Sequence, residues 1–203
     1  MTHKDSSKGI AEIKSLDVVD LILLDHKFLK ECIKILSSEK HDKRKKFSTA
    51  KKFLEALRLH SAAEKKAVYE ELESNEELHF IILEGEIEHG IVDQKVKLLK
   101  RRLAQVKTLS DENEAELKVL AELVNHHVKE EESEMLPKMK EEVDDHTLIE
   151  LGSVFMKIRK FEPNELTNYP ALYDELIQWK DSVHKISSQF LTKMDKYVEN
   201  LKH

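Results

Sequence analysis

Residues that make turns are scarce in this chain, with four glycines and three prolines in 203 residues. Tight turns need glycine for positive φ or proline for a preset φ, so seven such residues cannot punctuate the short strands of a sandwich or barrel. An all-β fold is excluded, and long uninterrupted elements are required. Charged residues make up 36% and aromatics 6%, which suits amphipathic helices with outer faces solvated by Lys and Glu.

Apolar spacing near 3.6 then marks the helices. Val18, Val19, Ile22, Leu23, His26, Leu29, Ile33 and Leu36 predict a first helix over 17–36, with Ser15 available as its N-cap. After the charged break SSEKHDKRKK, read as a solvated loop, Phe47, Phe53, Leu54, Leu57, His60 and Val68 predict a second helix up to about Leu72. A third is expected over 76–105, locally weakened at Gly85 and Gly90. Ser110 followed by Asp111, Glu112 and Glu114 starts a fourth over 111–140, because the hydroxyl caps and the carboxylates complement the helix dipole.

Four such helices joined by short breaks force antiparallel neighbours. The expected fold is all-α: an up-down-up-down four-helix bundle over 15–142, preceded by a frayed tail at 1–14. Two further helices, near 144–160 and 170–201, would pack on the bundle as a C-terminal extension over 143–203.

Charge and cysteine content narrow the function. Thirty-four basic against 40 acidic residues leave a net charge of −6, which disfavours nucleic acid as a partner and favours a monomer or weak oligomer. Cys32 stands alone, which excludes a disulfide framework and cysteine-based zinc or iron–sulfur sites. The N-terminus MTHKDSSKGI lacks the apolar core of a signal peptide, and no apolar run is long enough to span a membrane. The expectation is a cytoplasmic protein.

Eleven histidines are the unusual feature. Four are followed by Glu at i+4: His60/Glu64, His126/Glu130, His127/Glu131 and His146/Glu150. With 28 glutamates in the chain, chance supplies about one or two such pairs, so a single pair carries little. The signal is an internal repeat: HSAAEKKAVYE at 60–70 aligns without gaps with HVKEEESEMLP at 127–137. On a helix, i and i+4 lie on one face, so an imidazole and a carboxylate can reach a common metal pair.

Helix phase separates the adjacent pair at 126 and 127. His127 follows Leu120, Leu123 and Val124 and lies near Val119, whereas His126 has Glu122 and Lys118 one and two turns before it. His127 is expected inside and His126 outside. His26 and His89 continue apolar stripes on the first and third helices. Alone, each reads as a hydrogen-bonded core histidine; four inward histidines, one per helix, point to a metal. His3, His41 and His203 lie in polar or terminal stretches, and His79 and His146 lie at helix starts. HDKRKK reads as solvent-facing, and Cys32 as a small core residue.

Taken together, LLDHKFLK around His26, HSAAEKKAVYE around His60, IEHGIVD around His89 and HHVKEEESEMLP around His127 resemble the four motifs of bacterial-type hemerythrin-like HHE cation-binding domains. The resemblance covers about residues 15–140, and LIELGSVFMKIRK at 148–160 is similar to the segment that follows in bacterial members. It implies two iron ions in a non-haem, oxo- or hydroxo-bridged di-iron centre. His26, His60, His89 and His127 would each give a nitrogen, and Glu64 and Glu131 would bridge.

Such a centre binds or senses dioxygen, nitric oxide or peroxide, or handles iron. The alternative is a di-iron enzyme with peroxidase- or oxidase-like activity, and a metal-free scaffold is a third reading. Oxygen-carrying members have His-x-x-x-His on the third helix. Here the positions four after and four before His89 are Asp93 and Gly85. One nitrogen is absent, so an open or water-filled position is expected there, with Glu88 and Asp93 as groups beside the ligands. The cysteine-bearing N-terminal domain of the iron–sulfur repair relatives is not found, which speaks against that role.

Overall fold

A computed structural model describes residues 17–160. The expected tail at 1–14, the expected helix at 170–201, Ser15, His3 and His203 lie outside these residues. The described part is helical, without strands, and has no helix long and apolar enough to cross a membrane.

Helix α1 spans Val18–Ser37. Helix α2 spans Lys43–Glu64 and continues through a π-helical turn, Lys65–Tyr69, into a last short turn, Glu70–Leu72. Helix α3 spans His79–Ala104. Helix α4 spans Asp111–Glu130 and continues through a second π-helical turn, Glu131–Met135, to Leu136–Glu142. Helix α5 spans Asp145–Arg159. Each of α1–α4 packs on its two neighbours in a closed ring, and α5 lies against α1 and α2.

The helix starts follow from local chemistry. Asp17, rather than Ser15, caps α1: its carboxylate accepts from the Val19 and Asp20 amides, and Asp20 reaches back to the Asp17 amide. Asp42 caps α2 by accepting from the Lys45 amide, so the last four residues of HDKRKK are helical rather than loop. Those lysines oppose the helix dipole, and the acidic first turn of α4 compensates them: Lys43 pairs with Asp111 and the buried Lys46 with Glu114 at 2.6 Å. Ser110 caps α4 as its sequence indicates.

The core has two apolar layers. One holds Val18, Ile22, Val68, Ile82, Met135, Leu136 and, from α5, Leu148, Leu151, Val154 and Phe155. The other holds Leu29, Phe53, Leu57, Val92, Val96, Leu99, Leu120 and Val124. Each fully buried large side chain contributes about 1.5–3 kcal/mol, so both layers are strong clamps. The buried polar side chains of Asp25, His26, His60, Glu64, His89, His127 and Glu131 lie at the helix positions between them. Gly152 admits α5 to the start of α1: a β-carbon there would stand 3.0 Å from the Val18 amide nitrogen.

Candidate metal centre

Each bundle helix brings one histidine inward, and α2 and α4 each add a glutamate one turn later. His26, His60, Glu64, His89, His127 and Glu131 are all buried. His60 Nε2 lies 3.1 Å from Glu64 Oε2, His127 Nε2 3.1 Å from Glu131 Oε1, and His26 Nε2 3.1 Å from Glu131 Oε2. His89 Nε2 stands 3.4 Å from Glu64 Oε2 and 2.8 Å from His127 Nε2.

Several of these close atoms nevertheless lack a hydrogen-bond partner: His26 Nε2, His60 Nε2, both Glu64 oxygens and Glu131 Oε2. Buried polar atoms that crowd without hydrogen-bond alignment are costly by about 1–3 kcal/mol each. A shared cation removes that cost, since bonds of about 2.1 Å place donors about 3 Å apart around an octahedral ion. Two four-residue groups fit this demand, His60, Glu64, His89 and His127, and His26, His60, Glu64 and Glu131. His60 and Glu64 belong to both.

The outer nitrogens explain why Nε2 faces the centre. His60 Nδ1 donates to Asp25 Oδ2 at 3.2 Å, His127 Nδ1 to Glu88 Oε2 at 2.6 Å, and His26 Nδ1 to Glu132 Oε1 at 3.1 Å. A carboxylate on Nδ1 fixes the tautomer and ring orientation of a ligating histidine and raises its basicity. Asp25 is itself gripped by Arg159 of α5, Nε to Oδ2 at 2.5 Å and Nη2 to Oδ1 at 2.7 Å, and both side chains are fully buried. Glu132 also takes Lys30 at 2.5 Å.

Without a cation, protons do the balancing. Burial alone would depress His60, His127 and His26, but the facing carboxylates outweigh it: His60 is held well above the ordinary imidazole range, His26 above it, and His127 rises to about 9. Burial would raise Glu131, but His127 and His26 hold it well below the usual carboxylate range, while burial and the Glu131 charge raise Glu64. His89 is pushed well down by burial and by the neighbouring His127. Burial would raise Asp25, yet Arg159 and His60 lower it to about 2.

A π-helical turn sits at each clustered glutamate: Lys65–Tyr69 begins one residue after Glu64, and Glu131–Met135 begins at Glu131 itself. Single π-turns inside α-helices re-aim side chains and recur at functional sites. Here the first brings Tyr69 into the centre, where its hydroxyl donates to Glu131 Oε1 at 3.2 Å. Burial, with Glu64 and Glu131 nearby, holds the Tyr69 pKa well above its ordinary value, so the phenol keeps its proton. A β-carbon at Gly85 would stand 2.6 Å from that hydroxyl. The space beside Gly85 is therefore taken by Tyr69, and glycine is the residue that lets the phenol in.

Asp93 is not among the clustered donors; it lines a cleft between α2 and α3. Glu88 does reach the centre, through His127. His126 is exposed with Glu130 at 3.3 Å, and His146 is exposed with Glu150 at 4.0 Å, so two of the four His-x-x-x-Glu pairs are surface pairs. His41 is exposed, and His79 takes up the Glu73 carbonyl at the surface. Val119 and Leu123, counted toward the inner face in sequence, are exposed; Leu117, Leu120, Ala121 and Val124 carry the phase that buries His127.

Asp25, Tyr69, Glu132 and Arg159 escape sequence reasoning. Asp25 and Arg159 left a signal, since each interrupts an apolar stripe, between Leu21 and Leu29 and one turn after Phe155.

A helical bundle with two histidine–carboxylate groups between its apolar layers defines a cation-binding helical protein. The family model of the hemerythrin HHE cation-binding domain matches residues 17–139, and the chain belongs to that family. Searches of curated proteins and of solved structures found no match to it.

Proposed function

We propose that this protein holds two iron ions in a non-haem di-iron centre, through His26, His60, Glu64, His89, His127 and Glu131, and that the centre binds or senses dioxygen, nitric oxide or peroxide, or handles iron. The observation that carries this reading is the set of buried, mutually close donors left without hydrogen bonds. Mixed imidazole and carboxylate donors suit iron better than magnesium or calcium. Bound there, an iron pair supplies redox electrons and an exchangeable coordination position.

The chain's own groups do the rest. Asp25, Glu88 and Glu132 orient three of the imidazoles, and Glu64 and Glu131 supply the negative charge. A cavity of 40 Å³ is lined by Gly85, Glu88, His127 and Glu131. This space reaches solvent and exceeds the roughly 10–15 Å³ that one water needs on the same measure, so it gives small molecules a route to His127 and Glu131. Tyr69 favours a second reading, a peroxidase- or oxidase-like enzyme, because its hydroxyl holds a proton beside Glu131. A cytoplasmic, monomeric or weakly associating protein completes the proposal, in keeping with the single buried Cys32.

Metal analysis of protein purified without chelator is the direct test, with about two irons per chain expected. Folded protein that takes up no iron would defeat the reading. Mixing the reduced, loaded protein with each small ligand separates the roles: a long-lived optical adduct with little turnover marks a binder, and consumption of many peroxide equivalents per iron pair marks an enzyme.

A further inference from the structure

Three of the four central imidazoles have a carboxylate on Nδ1. His89 has none: its Nδ1 is buried and without a partner. Because His89 Nε2 faces the other donors, the proton of its neutral ring belongs on Nδ1, a donor lacking an acceptor. The hydroxyl of Ser61, one residue past His60, is likewise buried and without a partner.

Both residues line one cleft of 330 Å³ between α2 and α3, together with Arg58, Lys65, Asp93 and Lys97. Lys65 also meets Glu86 on the cleft wall at 3.1 Å. The lining therefore carries three cations and two carboxylates, with Arg58 also meeting Glu55 at 2.7 Å, and Ser61 and His89 each bring a buried, unpartnered polar atom to the same lining. A carboxylate answers each of the sibling histidines, so the local template for the missing acceptor is a carboxylate.

We propose that this cleft binds a small carboxylate anion, whose oxygens accept from His89 Nδ1 and Ser61 Oγ and whose charge is met by Lys97 and by Arg58, which it shares with Glu55. Its occupant gives His89 the partner that Asp25, Glu88 and Glu132 give the other three. The role of His89 as a ligand through Nε2 rests on the di-iron reading; the cations and Ser61 do not.

Acetate is the probe. The full chain, first metal-free and then loaded with diamagnetic zinc, is titrated with acetate at constant ionic strength set by chloride, and imidazole and amide nitrogen shifts are followed by NMR. Saturable shifts at His89 Nδ1 and the Ser61 amide are expected. Lys97→Gln, at an exposed position, and Ser61→Ala should each weaken binding about tenfold, as loss of one charged or hydrogen-bonding partner does. Lys138→Ala, on α4, should leave it unchanged. Shifts that stay linear in acetate, an affinity equal in all variants, or saturation by phosphate but not acetate would each overturn the proposal. Acetate binding with this variant dependence in a chain that takes up no metal would keep the cleft and defeat the di-iron reading. Metal uptake with no saturable acetate binding would do the reverse.

Discussion

The C-terminal halves of α2 and α4 share a histidine–glutamate pattern but not its surroundings. Each carries an inward histidine, a glutamate one turn on and a π-helical turn. On α2, His60 leans on Asp25, which Arg159 holds, and all three side chains are buried. On α4, His127 leans on Glu88, whose side chain is 29% exposed beside a small cavity. The fifth helix makes the difference, because it covers α1 and α2 and leaves the α3–α4 side open. One half of the centre is anchored in the core, and the other faces an entrance.

The strongest way to break this contrast uses the glutamates. The repeat predicts that Glu64→Ala and Glu131→Ala behave alike, each losing most of the metal. The structure predicts otherwise, because Glu64 belongs to both donor groups, whereas Glu131 belongs to one and reaches the other through His127. Glu64→Ala should retain almost no cation, whereas Glu131→Ala should keep about one per chain through His60, Glu64, His89 and His127. Metal analysis after loading decides it, and equal losses would restore the symmetric view.

Arg159→Ala comes next. It leaves Asp25 buried without its counter-charge, a change that costs about 3–5 kcal/mol and lowers the melting temperature by more than about 6 °C in a domain of this size. The double variant Arg159→Leu with Asp25→Asn should lose clearly less than the two single losses added, which a double-mutant cycle would show. Additive losses would mean that the ion pair does not anchor α5 to the centre.

Much of this arrangement was legible in the sequence, and the reasons are physical. Periodicity gave the helices because each buries one stripe, and the i, i+4 pairs of the repeat gave the ligand candidates because they lie on single helices. What joins different helices carries no local pattern. Asp25 meets Arg159 across 134 residues, and Tyr69 enters beside Gly85 only after a π-turn rotates it inward. Gly85 shows the limit well: its neighbour Tyr69 comes from another helix, which no spacing along α3 reveals. The charged run before α2 was misread because Lys43 and Lys46 find their partners on α4.

Asp25 and His127 should also lose their contributions at opposite ends of the pH scale in metal-free protein. Asp25 is lowered from 3.8 to about 2, so its contribution is present above pH 4 and is lost as pH falls toward 2, by about 2 kcal/mol. His127 is raised from 6.5 to about 9, so its contribution is full below pH 6.5 and is lost as pH rises through 9. Denaturant melts across pH should show Asp25→Asn flattening mainly the acid limb and His127→Ala mainly the alkaline limb. Both variants flattening the same limb would contradict the assignment.

The smallest effects belong to the open side. Glu88→Gln keeps an oxygen that can accept from His127 Nδ1 and removes only a charge already shared with solvent, so its cost to stability should stay below about 1 kcal/mol, as for exposed ion pairs. Its effect should fall on the metal, since the uncharged amide makes His127 less basic; partners of this kind alter metal affinity by about 10–100-fold when removed outright, and the conservative change should give less. His126→Ala provides the baseline: its side chain is 67% exposed and meets only Glu130, so neither stability nor metal content should move. A loss of metal in His126→Ala while His127→Ala retains it would reverse the phase of α4, and with it the distinction between an anchored and an open half. A Glu88→Gln protein as destabilised as Arg159→Ala would show instead that Glu88 holds the bundle together and that the open half is a second anchor.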